Sequence, residues 1–267
     1  MGRVRIAPYR EFPPVDLSPP TRVFVLTGAG VSAESGFSTF RDSGGLWEKH
    51  RVEDVATPEG WARDPEAVWR FYAGLRVQAV SAKPNAAHVA LATVERAIGA
   101  RFFLCTQNVD DLHEKAGSRR IVHMHGELMK SRCERWPSCA RGPFEDPSLT
   151  ASVPKCPCGG LVRPHIVWFG EIPIDLDRIG AELNACDVFV AIGSSGAVYP
   201  AAGFVSAVHA RKRSGDASPV AVYVGPETPD NASSFDECRL GGAGETVPAL
   251  FEPTLERPTS AARLRQR

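Results

Sequence analysis

The sequence predicts an α/β fold, a doubly wound parallel sheet of Rossmann-like type carrying a small inserted module. Three observations predict it. Short apolar runs at residues 23–26, 101–106, 187–192 and 220–224 alternate with segments of helical period, and strands covered by helices on both faces read as unbroken apolar runs. Two of these runs pass straight into glycine turns, Gly28-Ala29-Gly30 and Gly193-Ser194-Ser195, at the strand ends where an open α/β sheet holds its ligand. Between residues 131 and 164 the alternation stops, and Cys133, Cys139, Cys156 and Cys158 stand among prolines, glycines and charges.

Taken in order, residues 1–20 hold Pro8, Pro13, Pro14, Pro19 and Pro20 without any period and read as a mobile or surface-hugging lead-in. The fold is expected to start at Thr21. The strand at 23–26 meets a tight turn that lets backbone approach a pyrophosphate, and the helix start expected after it would offer unpaired N–H groups. Residues 65–82 place Val68, Phe71, Tyr72, Leu75 and Ala79 at helical spacing, with Pro65 in the first turn. Residues 85–98 read as a second helix, 101–106 and 121–124 as strands, the latter ending at a His-Gly-Glu turn. The strand at 187–192 repeats the strand-into-glycine pattern and 220–224 supplies another strand. Residues 211–218 form a polar loop, and the tail from 252 to 267 has too few apolar residues to fold alone. The expected organisation is one unit over 21–251, interrupted by the module at about 131–164.

The chain of 267 residues carries 31 Lys and Arg against 31 Asp and Glu, so no basic face advertises a nucleic-acid partner. No apolar run nears the roughly 20 residues of a membrane span and no hydrophobic leader opens the sequence, so a cytoplasmic protein, probing no membrane, is expected. Seven cysteines, an odd number, do not suggest a disulfide frame in that compartment. Four thiolates around one tetrahedral zinc would organise a segment unable to build its own core, making it a zinc-binding module. The spacings of five residues and one residue within the cysteine pairs depart from CxxC knuckles, and the other reading is reduced cysteines in a collapsed insertion.

Three further stretches carry chemistry. GAGVSAESGFSTFRDSGGLW from Gly28, TQNVDDLHEKAG from Thr106 and HGELMKSRC from His125 resemble, in this order, the signatures of the sirtuins, NAD-dependent protein-lysine deacylases. CPCGGLVRPHIVWFGE resembles the end of the sirtuin zinc module. The resemblance runs over roughly residues 21–251 and implies NAD as co-substrate, structural zinc on the four cysteines, and acylated-lysine proteins as partners; a monomer is expected. It implies that NAD lies against Gly28, Ala29, Gly30, Ala33, Glu34, Phe37, Arg41, Gln107, Asn108, Asp110, His125, Gly193, Ser194, Ser195, Gly225 and Ala243. In that scheme the acyl oxygen attacks C1′ of the nicotinamide ribose and nicotinamide leaves. His125 then acts as general base on a ribose hydroxyl, Asn108 orients ribose and water, and Asp110 holds the carboxamide. Phe37 would shield C1′ and Arg41 would reach phosphate or ribose. His123 reads as a structural hydrogen-bonding residue. Two positions depart from the family: Asp111 replaces a usual glycine, and Gly225 stands where the family carries an asparagine for the adenosine ribose.

The substrate side is expected on Val167, Trp168, Phe169 and Gly170, which resemble the segment that pairs with a peptide as an added strand. The subgroup that removes succinyl or malonyl groups carries a YxxR pair. Here Tyr72 is followed three residues on by Leu75, with Arg76 about 100° further round the helix, so an acidic acyl group read by Tyr72 and Arg76 stands against acetyl or a longer aliphatic group. A Rossmann dehydrogenase would need GxGxxG, which Ala33 does not complete. An NAD-hydrolysing or ADP-ribosyl-transferring relative, or a non-enzymatic ADP-ribose-binding module, would share the pocket.

Overall fold

A computed structural model describes residues 4–37, 50–213 and 219–255. Its main sheet has seven strands, β1 (Arg5–Pro8), β2 (Val23–Thr27), β3 (Phe102–Thr106), β4 (Ile121–His123), β8 (Val188–Ile192), β9 (Val220–Gly225) and β10 (Glu237–Leu240). Their order is β1-β10-β9-β8-β2-β3-β4, every pairing parallel. Side chains alternate along each strand, so β2 sends Val23 and Val25 to one face and Phe24 and Leu26 to the other. The first face packs on α4 (Ala86–Ile98) and α8 (Ala243–Leu255); the second packs on α6 (Leu176–Ala185) and α7 (Phe204–Arg213). The doubly wound prediction is what the chain builds. Asn85 caps α4 as a capping box with His88, and Pro65 opens α3 (Pro65–Ser81) behind the Asp64 cap.

The lead-in, expected to be mobile or surface-hugging with the fold starting at Thr21, joins the main sheet: β1 pairs in parallel with β10, and Phe12 and Leu17 are buried. The turn after β2 does not start a helix; it makes two 3-10 turns, Ala29–Val31 and Ala33–Ser35, ended by Gly36 at φ 74°.

The inserted module is a second layer. Strands β5 (Gly126–Cys133), β6 (Phe144–Glu145) and β7 (Val162–Ile166) form an antiparallel sheet in the order β6-β5-β7. It is broader than residues 131–164, since its sheet starts at Gly126, and α1 (Val52–Val55), α2 (Pro58–Arg63) and α3 pack on it through one apolar cluster including Trp61, Trp69, Tyr72, Leu128 and Trp168. Gly126 has φ 85°, and a Cβ there would lie 2.1 Å from the His165 carbonyl oxygen. Glycine is thus required where the chain turns from β4 into β5.

Candidate active site

The chain reverses direction of winding between β2 and β8, since β3 lies on one side of β2 and β8 on the other. A ligand crevice opens at such a switch point. The two glycine turns meet there backbone to backbone. Gly28 N–H donates to Ile192 O at 2.9 Å and Gly30 N–H to Gly193 O at 3.0 Å. A Cβ on Gly28 or Gly30 would lie 2.8 Å from an atom of Gly193, and one on Gly193, at φ 61°, would lie 2.5 Å from Val31 N. Ser194 Oγ accepts from Gln107 Nε2 at 3.0 Å, which ties the loop after β3 to the turn after β8. Ser195 Oγ accepts from Ala197 N–H at 3.3 Å. At the far end of the crevice Glu34 accepts from Gly244 N–H at 3.0 Å, at the start of α8 beside buried Ala243, where helix dipole and free N–H groups favour a carboxylate.

The polar centre is tightly ordered. Asn108 Nδ2 donates to Ser32 Oγ at 3.1 Å, and Ser32 donates on to Asp110 Oδ2 at 3.0 Å. Asp110 Oδ1 accepts from Leu112 N–H at 3.1 Å, and Asn108 N–H donates to Thr106 Oγ1 at 3.0 Å. Burial raises the Asp110 carboxyl above its ordinary value against the pull of these two donors. His125 Nδ1 donates to Gln107 O at 3.1 Å; a carbonyl only accepts, so the proton is fixed on Nδ1 and Nε2 keeps its lone pair. Burial lowers the His125 pKa below 6.5, opposed by that carbonyl. Ser32, wholly buried, was not singled out from sequence, although its place beside the glycine turn on a loop facing the strand ends is the signal that could have found it.

Other expected residues fall differently. Phe37 is buried in the aromatic layer with Trp61, Tyr72 and Trp168. Arg41 lies outside the described residues. Asp111 is ion-paired with Lys115 one helical turn on, at 2.9 Å, so its extra charge is balanced locally. At Gly225 a Cβ would lie 2.2 Å from the Tyr223 hydroxyl oxygen; Tyr223, two residues back on the same face of β9, occupies the space a side chain at 225 would need. Val167, Trp168 and Phe169 donate their N–H groups to His125 O, the Glu171 carboxylate and Ala56 O, and Gly170, at φ 89°, turns the chain. They form a turn after β7 rather than an edge strand. Tyr72 OH accepts from Trp168 Nε1 at 3.0 Å, and burial pushes its pKa up.

Arg76 is neither a free carboxylate reader nor solvated. It is 1% exposed. Its Nε donates to Leu128 O at 2.8 Å, Nη1 to Asp146 Oδ2 and Ser148 O at 3.2 Å, and Nη2 to Lys130 O at 3.2 Å and Ser131 Oγ at 2.8 Å. All five N–H groups of a guanidinium are thereby engaged within the protein, where a substrate-binding Arg76 was expected.

In the module, the Sγ atoms of Cys133, Cys139, Cys156 and Cys158 lie within 4.8 Å of one another. Zn–S bonds of about 2.3 Å in a tetrahedron put sulfurs roughly 3.8 Å apart; Cys133 to Cys158 is 3.5 Å and Cys139 to Cys156 is 3.8 Å. Arg135 N–H and Arg141 N–H point at Cys133 and Cys139 Sγ at 3.4 and 3.5 Å, as donors to thiolates would. The four sulfurs fit one structural zinc despite their irregular spacing.

Residues 28–200 match the model of the Sir2 family. The chain belongs to the Sir2 family. Its relatives include the NAD-dependent protein deacylase of Caulobacter vibrioides, 51% identical over 243 residues, 88% of this chain and 98% of that one. That of Shewanella oneidensis is 48% identical over 237 residues, 87% and 94% of the two chains. Among solved structures, a Sir2 homologue in complex with NAD superposes with a TM-score of 0.78 at 38% identity, covering 91% of this chain and 96% of that one. A Sir2 protein bound to a deacetylated p53 peptide and 3′-O-acetyl ADP-ribose gives 0.72 at 26% identity, covering 87% and 93%. This Sir2 chain thus holds its glycine turns, its Asn108–Asp110 loop and His125 around one crevice.

Proposed function

We infer that the protein is an NAD-dependent protein-lysine deacylase, which transfers an acyl group from lysine to ADP-ribose with release of nicotinamide. The observation that carries the reading is His125, whose Nδ1 is tied to Gln107 O so that its lowered pKa leaves a neutral Nε2 as general base beside Asn108 and Asp110. NAD supplies the electrophilic ribose carbon. The glycine turns take the pyrophosphate through main-chain groups, Gln107 and Ser194 face it from the strand ends, and Glu34 with Ala243 border the adenosine end. Asn108, held by Ser32, orients ribose and water; Asp110, partly shielded from ionisation by burial, meets the carboxamide.

The acyl group we propose is neutral, acetyl or a longer aliphatic chain, in place of succinyl or malonyl. Leu75 stands one turn from Tyr72, and Arg76 has no N–H left for an acyl carboxylate. A peptide would lie beside the turn at Val167–Gly170, met by its carbonyl groups and by half-exposed Phe169. We also read the enzyme as cytoplasmic and monomeric, with Cys105, Cys186 and Cys238 unpaired as suits a reducing compartment. An NAD-hydrolysing or ADP-ribosyl-transferring role loses its motive, because Lys115 balances Asp111 and the Tyr223 hydroxyl fills the space at Gly225.

The test is a matched set of acetyl, long-chain and succinyl lysine peptides with NAD. The wild-type chain should turn over neutral acyl peptides, and His125→Ala should lose on the order of a hundredfold or more in kcat with its melting temperature kept. Near-normal turnover by that variant would overturn the base assignment, and preferred turnover of succinyl peptide would overturn the acyl assignment.

A further inference from the structure

The run His123-Met124-His125 is fastened to three successive residues at the end of β3 and in the loop after it. His125 Nδ1 bonds Gln107 O at 3.1 Å, Met124 N–H donates to Thr106 O at 3.0 Å, and His123 Nδ1 bonds Asn108 O at 3.1 Å. The other nitrogen of His123, Nε2, lies 2.6 Å from Glu114 Oε1 on α5 (Leu112–Ala116). A main-chain carbonyl and a carboxylate both only accept, so each ring nitrogen needs a proton to make its bond. We propose that His123, held as an imidazolium between Glu114 and the Asn108 carbonyl, is the positioning residue that sets Asn108 in the reacting orientation.

Among the described residues, Asn108 is otherwise fixed through its N–H, to Thr106, and its amide, to Ser32. Its carbonyl bond to His123 stops the peptide plane between Asn108 and Val109 from rotating. A displacement of about 1 Å in such a group costs as much as a hundredfold in rate. Loss of either proton from His123 turns one of its two contacts into a meeting of lone pairs. The ring is 8% exposed. Burial works against its charge, but Glu114 outweighs burial and Glu127 on β5 adds to it, and its pKa is raised above 6.5. Asp110 lies in the loop it fastens, and buried His113 on α5 stays neutral. Arg119, Lys130, Glu145, His165 and Asp175 line the same open cavity of about 560 Å³, with Lys130 paired to Glu127 at 2.8 Å. Two histidines two residues apart are therefore driven in opposite directions, His125 towards neutrality and His123 towards charge. Turnover should be bell-shaped in pH, its acid limb set by His125 and its basic limb by His123.

The inference rests on the roles given above to Asn108 and His125. The experiment measures kcat and KM against pH for wild type, His123→Phe, His123→Asn and Glu114→Gln. His123→Phe should lose about tenfold or more in kcat with KM values changed less than about threefold, the signature of a lost orientation rather than lost binding. His123→Asn, whose amide stands where Nδ1 stood, should recover most of that loss and show no basic limb. Glu114→Gln should move the basic limb to lower pH. If His123→Phe does not fold, the other two variants carry the test. Folded His123→Phe with kcat within about twofold of wild type, or an unmoved basic limb in Glu114→Gln, overturns the proposal. A wild-type chain lacking NAD-dependent deacylation would instead overturn the functional reading beneath it.

Discussion

A guanidinium holds five N–H groups in one plane, and Arg76 uses them to bind α3 to β5, the central strand of the small sheet, and to the segment after β6. Its partners Leu128, Lys130, Ser131, Asp146 and Ser148 come from 52 to 72 residues away in sequence, which is why the helix phase of Arg76 was legible and its surroundings were not. Removing it leaves Asp146, 9% exposed, with an uncompensated charge. Arg76→Met should therefore cost about 3–5 kcal/mol of stability, read by urea unfolding, while the ratio of desuccinylation to deacetylation stays as it was. A selective fall in desuccinylation at unchanged stability would show that Arg76 reads the acyl group after all. Tyr223 teaches the same lesson: Gly225 was legible as a lost side chain, but only the strand geometry shows that a tyrosine two residues earlier fills the space.

Elements with strong period were readable almost to the residue. Apolar runs marked β2, β3, β8 and β9, Pro65 marked the first turn of α3, and helical spacing marked α4; the structure adds the Asp64 and Asn85 caps at their starts. By contrast β1 is four residues, Arg-Ile-Ala-Pro, mostly exposed, and it pairs with β10 more than 200 residues along the chain; nothing local announces it. The cysteine module lay between these cases, because clustering pointed to metal while spacing argued against it. The structure resolves the spacing: Cys133 ends β5, Cys139 sits in the turn that follows, and Cys156 and Cys158 lie in a loop closed by the Lys155–Leu161 bridge and the Cys156 N–H to Gly160 O bond. Purified protein should contain about one zinc per chain, and its removal by a strong chelator should lower the melting temperature, because binding free energy there is folding free energy. Active protein free of zinc and with unchanged melting would exclude a structural metal.

At the scale of the whole molecule, buried histidines that the fold keeps neutral add to the loss of stability in acid. Burial lowers His88 and His165 to about 4, and His113 well below 6.5. An unfolded chain takes up these protons near pH 6.5, and the folded one cannot, so stability is full above that pH and falls as pH drops towards 4. His88 and His165 should each remove about 2 kcal/mol by pH 5. His123 acts with the opposite sign, its contribution being present below 6.5 and lost as pH rises through its raised pKa. Urea midpoints with zinc held in excess should fall between pH 7.5 and pH 5; a flat profile would mean that these rings are hydrated. The interlocked turns at Gly28, Gly30 and Gly193 have a consequence for binding thermodynamics. Main-chain hydrogen bonds within the protein itself hold this floor, so conformational entropy that a looser loop would surrender on binding a pyrophosphate is given up once, at folding.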